Sequence, residues 1–271
     1  MHYIHNLNPI AFQLGELIIP WYWLVYLAGF FYIFFCGQVL LKHYQVLVTP
    51  TDWSDSLVAG WVGLFLGARL GYFLIYQPEM LRNDPAVLLR IWAGGMSFHG
   101  GALGAWLAIL VVGFWKRKSV WPVLDTICTL LPLCLGLGRL ANFINGELAG
   151  RPSNVPWAVV FPEFYDALPR HPSQIYEALG EGVLLGLILW TGRKNIPIPA
   201  RQTAVFAFSY SVIRFFLEFF REPDPQLGLL IVGSLSMGQI LCGLFFVLGL
   251  ILLKRSRLTI HPDSSETAKA L

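Results

Sequence analysis

Charged residues are scarce in this sequence: Asp, Glu, Lys and Arg make up 13% of its 271 residues, whereas 56% are hydrophobic. A chain of this length cannot coat a soluble globule with so few polar side chains, so we expect most of its surface to face lipid. The formal net charge is +3, and the basic residues are sorted into separate loops. This distribution is typical of membrane orientation and excludes a nucleic-acid partner.

Cysteine is also scarce, and residues 1–18 contain no Lys or Arg. A cleavable signal peptide needs a basic segment before its apolar core, so we expect the first apolar run to stay in the protein as a helix. The cysteines lie in apolar runs, without the paired spacing of metal ligands or the loop setting of disulfides. We interpret all four as small buried hydrophobic residues: Cys36, Cys128, Cys134 and Cys242.

Apolar runs of roughly 20 residues, the length that crosses the hydrocarbon core, occur seven times. They predict an all-α fold, namely a polytopic membrane protein with seven transmembrane helices. The predicted spans are Ile18–Leu41, Leu57–Tyr76, Met96–Trp115, Pro122–Phe143, Ser173–Trp190, Thr203–Phe220 and Ser236–Leu253.

Basic residues in the connecting segments predict the orientation, because cytoplasmic loops carry an excess of Lys and Arg. The richer set of segments holds Lys42, Lys116, Arg117, Lys118, Arg193, Lys194, Arg201, Lys254, Arg255, Arg257 and Lys269. The poorer set holds Arg82, Arg90, Arg151, Arg170 and Arg221. The richer set includes the C-terminal tail, so we expect an outward N-terminus. A single integral-membrane domain is predicted over 1–258 and a polar cytoplasmic tail over 259–271.

Ionisable side chains are costly at membrane depth unless they face a cavity or a partner. Five segments bring such groups, or other polar groups, toward the outward-facing side. Tyr210, Arg214 and Glu218 recur every four residues and should share one helix face. The other polar residues at this level are Arg69, His99, Arg139, Asn142, Glu177 and Glu181. Their crowding at one level predicts a membrane-embedded enzyme that acts on a lipid.

Several residues also have structural interpretations. Gly63, Gly67 and Gly71 have the spacing of a helix-packing surface, which we favour over a ligand cradle. Arg69 is equally well explained by a structural role, either snorkelling or an ion pair with Glu177 or Glu218. Four histidines lie in terminal or loop segments and are expected to be solvated: His2, His5, His43 and His261.

Two other classes of protein also place polar residues in membranes. A transporter would distribute them along the whole depth and often repeats its halves, and this chain shows neither pattern. A structural scaffold does not need Arg139, Arg214 and His99 at depth, although inert alanine replacements there would favour it. Other lipid head-group transferases would share an arginine-lined outer site and differ in their acceptor.

The run from Gly138 to Arg151, GRLANFINGELAGR, resembles the signature of bacterial prolipoprotein diacylglyceryl transferases. The resemblance covers nearly the whole chain and implies seven transmembrane helices, an outward N-terminus and a site open to the outer leaflet. The other matching segments are Trp21–Tyr22, Gly67–Tyr72, Gly94–Gly101, Leu168–Gln174 and Arg214–Asp224.

The resemblance also implies a reaction. The diacylglyceryl group of phosphatidylglycerol passes to the lipobox cysteine thiol of a prolipoprotein and glycerol phosphate is released, the first step of bacterial lipoprotein maturation. The expected partners are phosphatidylglycerol, lipobox signal peptides and membrane lipids. We expect the enzyme in the bacterial cytoplasmic (inner) membrane, with no cofactor and no metal.

This reaction needs a thiolate and a site that neutralises a departing phosphate. The resemblance points to Arg139 and Arg214 as catalytic residues, because a guanidinium binds phosphate oxygens through two N–H groups. Catalytic His99 would accept the thiol proton; alternatively, the arginines generate the thiolate and His99 orients the head group. Glu147 and Asn142 would hold Arg139 or bind head-group hydroxyls. The residues expected to bind phosphatidylglycerol are Tyr22, Arg69, Gly100, Gly101, Arg139, Asn142, Asn145, Glu147, Gly150, Arg151, Tyr210 and Glu218.

Overall fold

Helices account for most of the chain in the computed structural model, which describes residues 2–46, 48–90, 95–163, 165–222, 229–231 and 235–260. A π-helical segment, Ala178–Leu184, directly joins two short α-helices, Ser173–Glu177 and Leu185–Thr191. The α-helices are α1 (Trp21–His43), α2 (Pro50–Tyr76), α3 (Pro78–Asn83), α4 (Phe98–Lys116), α5 (Trp121–Asn145), α6 (Ser173–Glu177), α7 (Leu185–Thr191), α8 (Arg201–Leu217) and α9 (Met237–Ile260). Short 3-10 turns lie at Pro85–Leu89, Arg193–Asn195 and Glu218–Phe220. Most of the predicted tail, 261–271, lies outside the described residues.

Five helices in the described part are long and apolar enough to cross a membrane. Each predicted span is helical over most of its length. Two of the seven, however, are not both long enough and apolar enough to be counted among these five. Gly100–Lys116 is shorter, and the 173–191 run carries two buried glutamates and the π-helical segment. The five are Trp21–His43, Pro50–Leu74, Trp121–Asn145, Arg201–Phe220 and Gly238–Ser256. The protein is therefore a helical membrane protein.

Local sequence sets where the helices begin. Thr49 caps α2, since its hydroxyl accepts the Asp52 N–H at 3.1 Å and proline occupies the first helical position. Pro20 is extended at the start of α1, so this helix begins three residues after the predicted start of the first span at Ile18. Residues before Trp21 belong instead to a strand.

Short strands outside the helices correct the all-α prediction. Their lengths of two to five residues are too short to give a clear alternating pattern in the sequence. They are β1 (Tyr3–Ile4), β2 (Ile10–Leu14), β3 (Leu17–Pro20), β4 (Val159–Val160), β5 (Pro169–Arg170), β6 (Leu229–Ile231) and β7 (Leu235–Ser236). β1 pairs in parallel with β4, and three antiparallel pairs join β2 to β3, β4 to β5 and β6 to β7.

His5 follows β1 and is buried, with 7% of its surface exposed. Its N–H donates to the Val160 carbonyl at 2.8 Å. The imidazole centroid lies 5.5 Å from that of Phe143 and 5.2 Å from that of Phe161. The expectation that His5 is solvated is therefore wrong, because the β1–β4 pairing carries it into an aromatic cluster.

The chain forms two compact units, one of Met1–Val46 with Leu124–Leu271 and one of Leu47–Val123. In the second unit, α2 and α4 pack backbone to backbone. A Cβ placed on Gly71 would lie 2.8 Å from the Gly100 Cα, and one on Gly67 would lie 2.8 Å from the Gly104 Cα. The helix-packing interpretation of these α2 glycines is confirmed.

In the first unit, glycines bring α5 against the π-helical segment. A Cβ on Gly136 would lie 2.9 Å from the Gly182 Cα. Arg139 lies three residues beyond Gly136, and Glu181 immediately precedes Gly182. This close approach therefore places a basic and an acidic side chain at the same level.

Candidate active site

Three arginines and three glutamates meet in the first unit, and we call them the Arg–Glu cluster. They come from α5, α6, the π-helical segment, α8, the short turn Glu218–Phe220 and the residue directly after that turn. The members are Arg139, Glu177, Glu181, Arg214, Glu218 and Arg221.

Two of these arginines converge on the same pair of carboxylates. Arg139 Nε lies 2.8 Å from Glu177 Oε2 and 3.1 Å from Glu181 Oε2. Arg214 Nη1 lies 3.0 Å from the same Glu177 oxygen and 3.1 Å from Glu181 Oε1. Because one oxygen contacts both guanidinium groups, the two arginines must lie within a few ångströms of each other.

The polar face predicted on α8 extends this cluster. Arg214 Nη2 lies 2.7 Å from Glu218 Oε2, one helical turn away. The other Glu218 oxygen accepts the Ser236 hydroxyl at 2.9 Å. Arg221 Nη1 lies 3.3 Å from Glu177 Oε1. The predicted four-residue spacing of Arg214 and Glu218 on one face is confirmed by their ion pair.

Burial makes the charge balance of the cluster important. The side chains of Glu177 and Glu181 are 1% and 0% exposed, and those of Arg214 and Arg139 are 11% and 17% exposed. Three arginines against three glutamates leave no formal net charge. A buried charge without a partner would be strongly destabilising, so each member depends on the others for its place in the folded protein.

A second polar group surrounds Glu147, just after the end of α5. Its Oε1 accepts Asn142 Nδ2 at 2.8 Å and Asn145 Nδ2 at 3.2 Å. Gly146 has φ +73°, a left-handed conformation suited to glycine, where the chain turns out of α5. The ion pairs of Arg139 are with glutamates on the 173–191 run, so of the two roles predicted for Glu147 and Asn142 the contacts favour binding of head-group hydroxyls over holding Arg139.

Tyr22 and Tyr210 lie beside these groups. The Tyr22 hydroxyl is 3.0 Å from that of Tyr26 and within electrostatic range of Glu147 and Arg139. Tyr210, on α8, is within electrostatic range of Glu181 and Arg139. The charge of Arg139 therefore acts on both predicted tyrosines.

The loop after α5 is fastened to its neighbours through backbone atoms. The Gly150 N–H donates to the His171 carbonyl at 2.9 Å, and a Cβ at Gly150 would lie 2.7 Å from that same oxygen. Arg151 Nε donates to the Arg221 carbonyl at 2.8 Å. Gly150 and Arg151 thus tie this loop to the end of the Arg–Glu cluster.

Arg170 anchors the same loop from its far end. It donates to the Gly150 carbonyl at 3.1 Å and lies 3.1 Å from an Asp166 oxygen. The hydrogen bond from this guanidinium holds the pKa of the Asp166 carboxyl below its usual range. Partial burial lowers the pKa of His171, so its imidazole stays neutral to a lower pH than usual.

The remaining predicted residues lie in the second unit. Arg69 is 2% exposed and donates to the carbonyls of Val87, Arg90 and Gly95, the last two at 2.9 Å and 3.2 Å. These contacts give it a structural role in holding the segment before α4. His99 lies in the first turn of α4, and its side chain is outside the described part of the structure.

Gly100 and Gly101 already use their backbone N–H groups within the α4 cap. The Gly100 N–H donates to the Ser97 hydroxyl at 3.3 Å, and the Gly101 N–H donates to the Ser97 carbonyl at 2.9 Å. A Cβ on Gly101 would lie 3.3 Å from the Ala68 Cβ. Both glycines thus serve the packing of α4 on α2.

Sequence reasoning left three members of the Arg–Glu cluster out of the predicted binding set, namely Glu177, Glu181 and Arg221. The signal was the four-residue spacing of two glutamates inside an otherwise apolar run. No group of three or more His, Cys, Asp or Glu side chains placed to hold a metal ion occurs among the described residues.

The comparison with protein families matches residues 9–255 to the family described as Prolipoprotein diacylglyceryl transferase. The chain belongs to the prolipoprotein diacylglyceryl transferase family. The match to this transferase family includes every member of the Arg–Glu cluster, all of the second compact unit and most of the first.

Curated relatives carry the name Phosphatidylglycerol--prolipoprotein diacylglyceryl transferase. One from Polynucleobacter asymbioticus is 46% identical over 253 residues, which cover 92% of this chain and 96% of the relative. One from Pasteurella multocida is 44% identical over 250 residues, 91% of each chain. One from Bordetella avium is 45% identical over 247 residues, 90% of this chain and 93% of the relative. The similarity to these transferases therefore extends over nearly the full length of both proteins.

Proposed function

We propose that this protein transfers the diacylglyceryl group of phosphatidylglycerol to the lipobox cysteine thiol of prolipoproteins and releases glycerol phosphate, as the first step of bacterial lipoprotein maturation. The observation that carries the proposal is the meeting of Arg139 and Arg214 on one oxygen of Glu177, at 2.8 Å and 3.0 Å. Two guanidinium groups this close can bind one phosphate together.

The chemistry is a displacement at carbon. The thiolate sulfur attacks the glyceryl carbon, its bond to the phosphate ester oxygen breaks, and glycerol phosphate leaves with the electron pair. Negative charge grows on the departing phosphate, where fixed donors in a poorly solvated site are most effective. Among the described residues Arg139 makes its ion pairs through Nε, so its Nη nitrogens remain for phosphate oxygens.

We assign His99 the role of accepting the thiol proton. An imidazole with a pKa of about 6.5 can do this near neutral pH. Arg69, Gly100 and Gly101 support this role indirectly, since their contacts hold the start of α4 that carries His99.

The head group of phosphatidylglycerol has hydroxyls that need polar partners. The group around Glu147 and the α8 face carry such partners close to the two arginines. The proposed binding residues in the first unit are Tyr22, Asn142, Asn145, Glu147, Tyr210 and Glu218. We place Gly150 and Arg151 in the wall of the site, because their contacts hold the loop after α5 in position.

The proposal includes a placement in the bacterial inner membrane, with a single catalytic domain over 1–258 and a cytoplasmic tail over 259–271. In this proposal the protein has seven spans, an outward N-terminus and a site toward the outer leaflet. Signal peptides with a lipobox cysteine and phosphatidylglycerol both reach the site from the bilayer. Support comes from the five long apolar helices, two further helical runs and the basic residues of the connecting loops.

A mass-spectrometric transfer assay tests this function. Purified full-length protein in detergent is mixed with phosphatidylglycerol and a lipobox peptide or its Cys→Ser variant. We expect a diacylglyceryl mass gain with the cysteine peptide alone, a near-complete loss in Arg139→Ala, and an unchanged rate in Arg193→Ala. Arg193 is a matched control, since its guanidinium bonds only the adjacent Trp190 carbonyl and ring among the described residues. No mass gain from folded native protein would refute the proposal.

A further inference from the structure

A cavity of about 740 Å³ lies where α4 ends and the chain turns into α5. Its lining is mixed, with basic side chains beside aromatic and aliphatic ones. The lining includes Phe114, Trp115, Arg117, Lys118, Ser119 and Trp121. A polar end beside an apolar wall fits a molecule that has the same two parts.

This cavity is remote from the proposed catalytic turn within the same unit. His99 and Lys116 stand near opposite ends of α4 and are 17 residues apart. At 1.5 Å per residue the helix separates them by about 26 Å, close to the thickness of the hydrocarbon core. The cavity therefore lies at the leaflet opposite to the one that contains His99.

Ion pairs at this end of the unit leave one positive charge over. Lys116 Nζ lies 3.0 Å from Asp52 Oδ1 and 2.5 Å from Asp55 Oδ2, and Lys118 Nζ lies 2.5 Å from Asp52 Oδ2. Residues 116 to 118 carry three positive charges and the two aspartates carry two negative charges, so the sum is one positive charge. Arg117 carries it, because its exposed guanidinium has no ionic or hydrogen-bonding partner among the described residues.

The backbone of Arg117 is also unusual. It caps α4 in the left-handed conformation, with φ 53° and ψ 40°. Helices commonly have glycine there, because a side chain in this conformation is disfavoured. Beside it, Phe114 and Trp115 are 81% and 77% exposed, which suits lipid contact.

We propose that the cavity at the α4–α5 turn binds the head group of an anionic phospholipid through Arg117, with Trp115 and Phe114 along its acyl chains. One negative charge matches the single uncompensated positive charge. Basic pockets at the ends of transmembrane helices recognise anionic lipids in this way. The proposal rests on the proposed function in one respect: His99 marks the catalytic end of α4.

Native mass spectrometry of the full-length protein in detergent tests this site. The probes are dioleoylphosphatidylserine, dioleoylphosphatidylcholine and inorganic phosphate. We expect phosphatidylserine to bind in preference to phosphatidylcholine, and Arg117→Gln to weaken that binding about fivefold, as expected for one arginine near a membrane surface. Lys194→Gln removes an exposed positive charge elsewhere and should leave the binding unchanged.

Arg117→Gly is a second variant that separates binding from folding. It removes the guanidinium and relieves the left-handed backbone, so it should weaken phosphatidylserine binding as Arg117→Gln does, while its unfolding temperature stays equal to or above that of native protein. Equal loss in Arg117→Gln and Lys194→Gln, equal binding of phosphatidylcholine, or displacement by inorganic phosphate would overturn the proposal. Transfer activity measured on the same samples reports on the catalytic site separately, because binding of phosphatidylserine at the α4–α5 turn requires no transfer.

Discussion

Arg139 contacts Glu177 and Glu181 through Nε, the nitrogen that lysine lacks. Arg139→Lys keeps the positive charge but loses both this anchor and the planar pair of Nη donors. We expect the transfer rate to fall at least about tenfold, measured as kcat with saturating phosphatidylglycerol. Arg193→Lys is the matched control and should retain the native rate. Native activity in Arg139→Lys would show that a point charge is sufficient at this position.

The ion pair of Asp166 with Arg170 lies outside the predicted membrane spans and makes the stability of the fold depend on pH. Its pKa is lowered by Arg170, so the pair stabilises the fold above the ordinary carboxyl pKa, and this contribution is lost as pH falls through the lowered value. Asp166→Asn should lower the unfolding temperature at pH 7 by about 1 to 2 °C, because the Asp166 carboxylate of the pair is exposed to solvent. The difference from native protein should shrink as pH falls below the ordinary carboxyl pKa and vanish below the lowered one.

Thermal unfolding of both proteins in detergent across this pH range measures the effect. Glu163→Gln is the control, since the Glu163 carboxylate is exposed and makes no hydrogen bond or ion pair among the described residues. A destabilisation of Asp166→Asn that stays constant down to pH 3 would contradict the ion-pair explanation.

At the scale of residues, the sequence predicts which polar side chains lie at the same membrane level but not their partners. Arg139 and Arg214 were predicted as phosphate ligands from the resemblance, and both lie in the Arg–Glu cluster. Glu181 could not be assigned as their shared partner, because that pairing depends on how closely α5 approaches the π-helical segment. Arg69 bonds to backbone carbonyls, which no sequence pattern reveals.

Among the elements, α8 is held at its start by a residue of another helix. Its own cap position is Ala200, which has φ 64° and no side chain that can accept a hydrogen bond. Asp125 of α5 is fully buried, and its Oδ1 accepts the N–H and the hydroxyl of Thr203, both at 2.7 Å. This contact fixes the start of the helix that carries Arg214.

Replacing Asp125 tests the contact between α5 and α8. Asp125→Ala leaves the Thr203 N–H and hydroxyl without their acceptor, which should lower the unfolding temperature by roughly 4 to 8 °C. Asp125→Asn keeps Oδ1 and should stay within about 2 °C of native protein. Thermal unfolding in detergent compares the three proteins. Equal losses in the two variants would mean that the charge, and not the capping oxygen, stabilises α8.

Helix positions were predictable because long apolar runs have few alternatives, and each of the seven runs is helical over most of its length. The strands were missed because pairs such as Tyr3–Ile4 with Val159–Val160 join distant parts of the chain through two residues each. The π-helical segment was also missed. Its hydrogen-bonding pattern depends on the packing of Gly182 against Gly136, and π-helical turns often mark functional sites.

For the whole molecule, the seven spans and the outward N-terminus stay predictions, and the crossing by the 173–191 run is the one that accessibility in cells tests most directly. Single cysteines placed at exposed positions report it through a membrane-impermeant maleimide. We expect Asn154→Cys to be labelled in intact cells, and Ser119→Cys and Lys194→Cys only after permeabilisation. Native protein gives the background from its own four cysteines. Labelling of Lys194→Cys in intact cells would mean that this run does not cross.

The zero net charge of the Arg–Glu cluster also affects turnover. Phosphatidylglycerol is a diester with one negative charge, whereas glycerol phosphate is a monoester that gains up to a second near neutral pH. Glu177, Glu181 and Glu218 already match the charge of the three arginines. A site balanced in this way has no spare positive charge to hold the second negative charge of the product. The glutamates that balance the arginines would then also favour the exit of glycerol phosphate and leave the site ready for the next lipid.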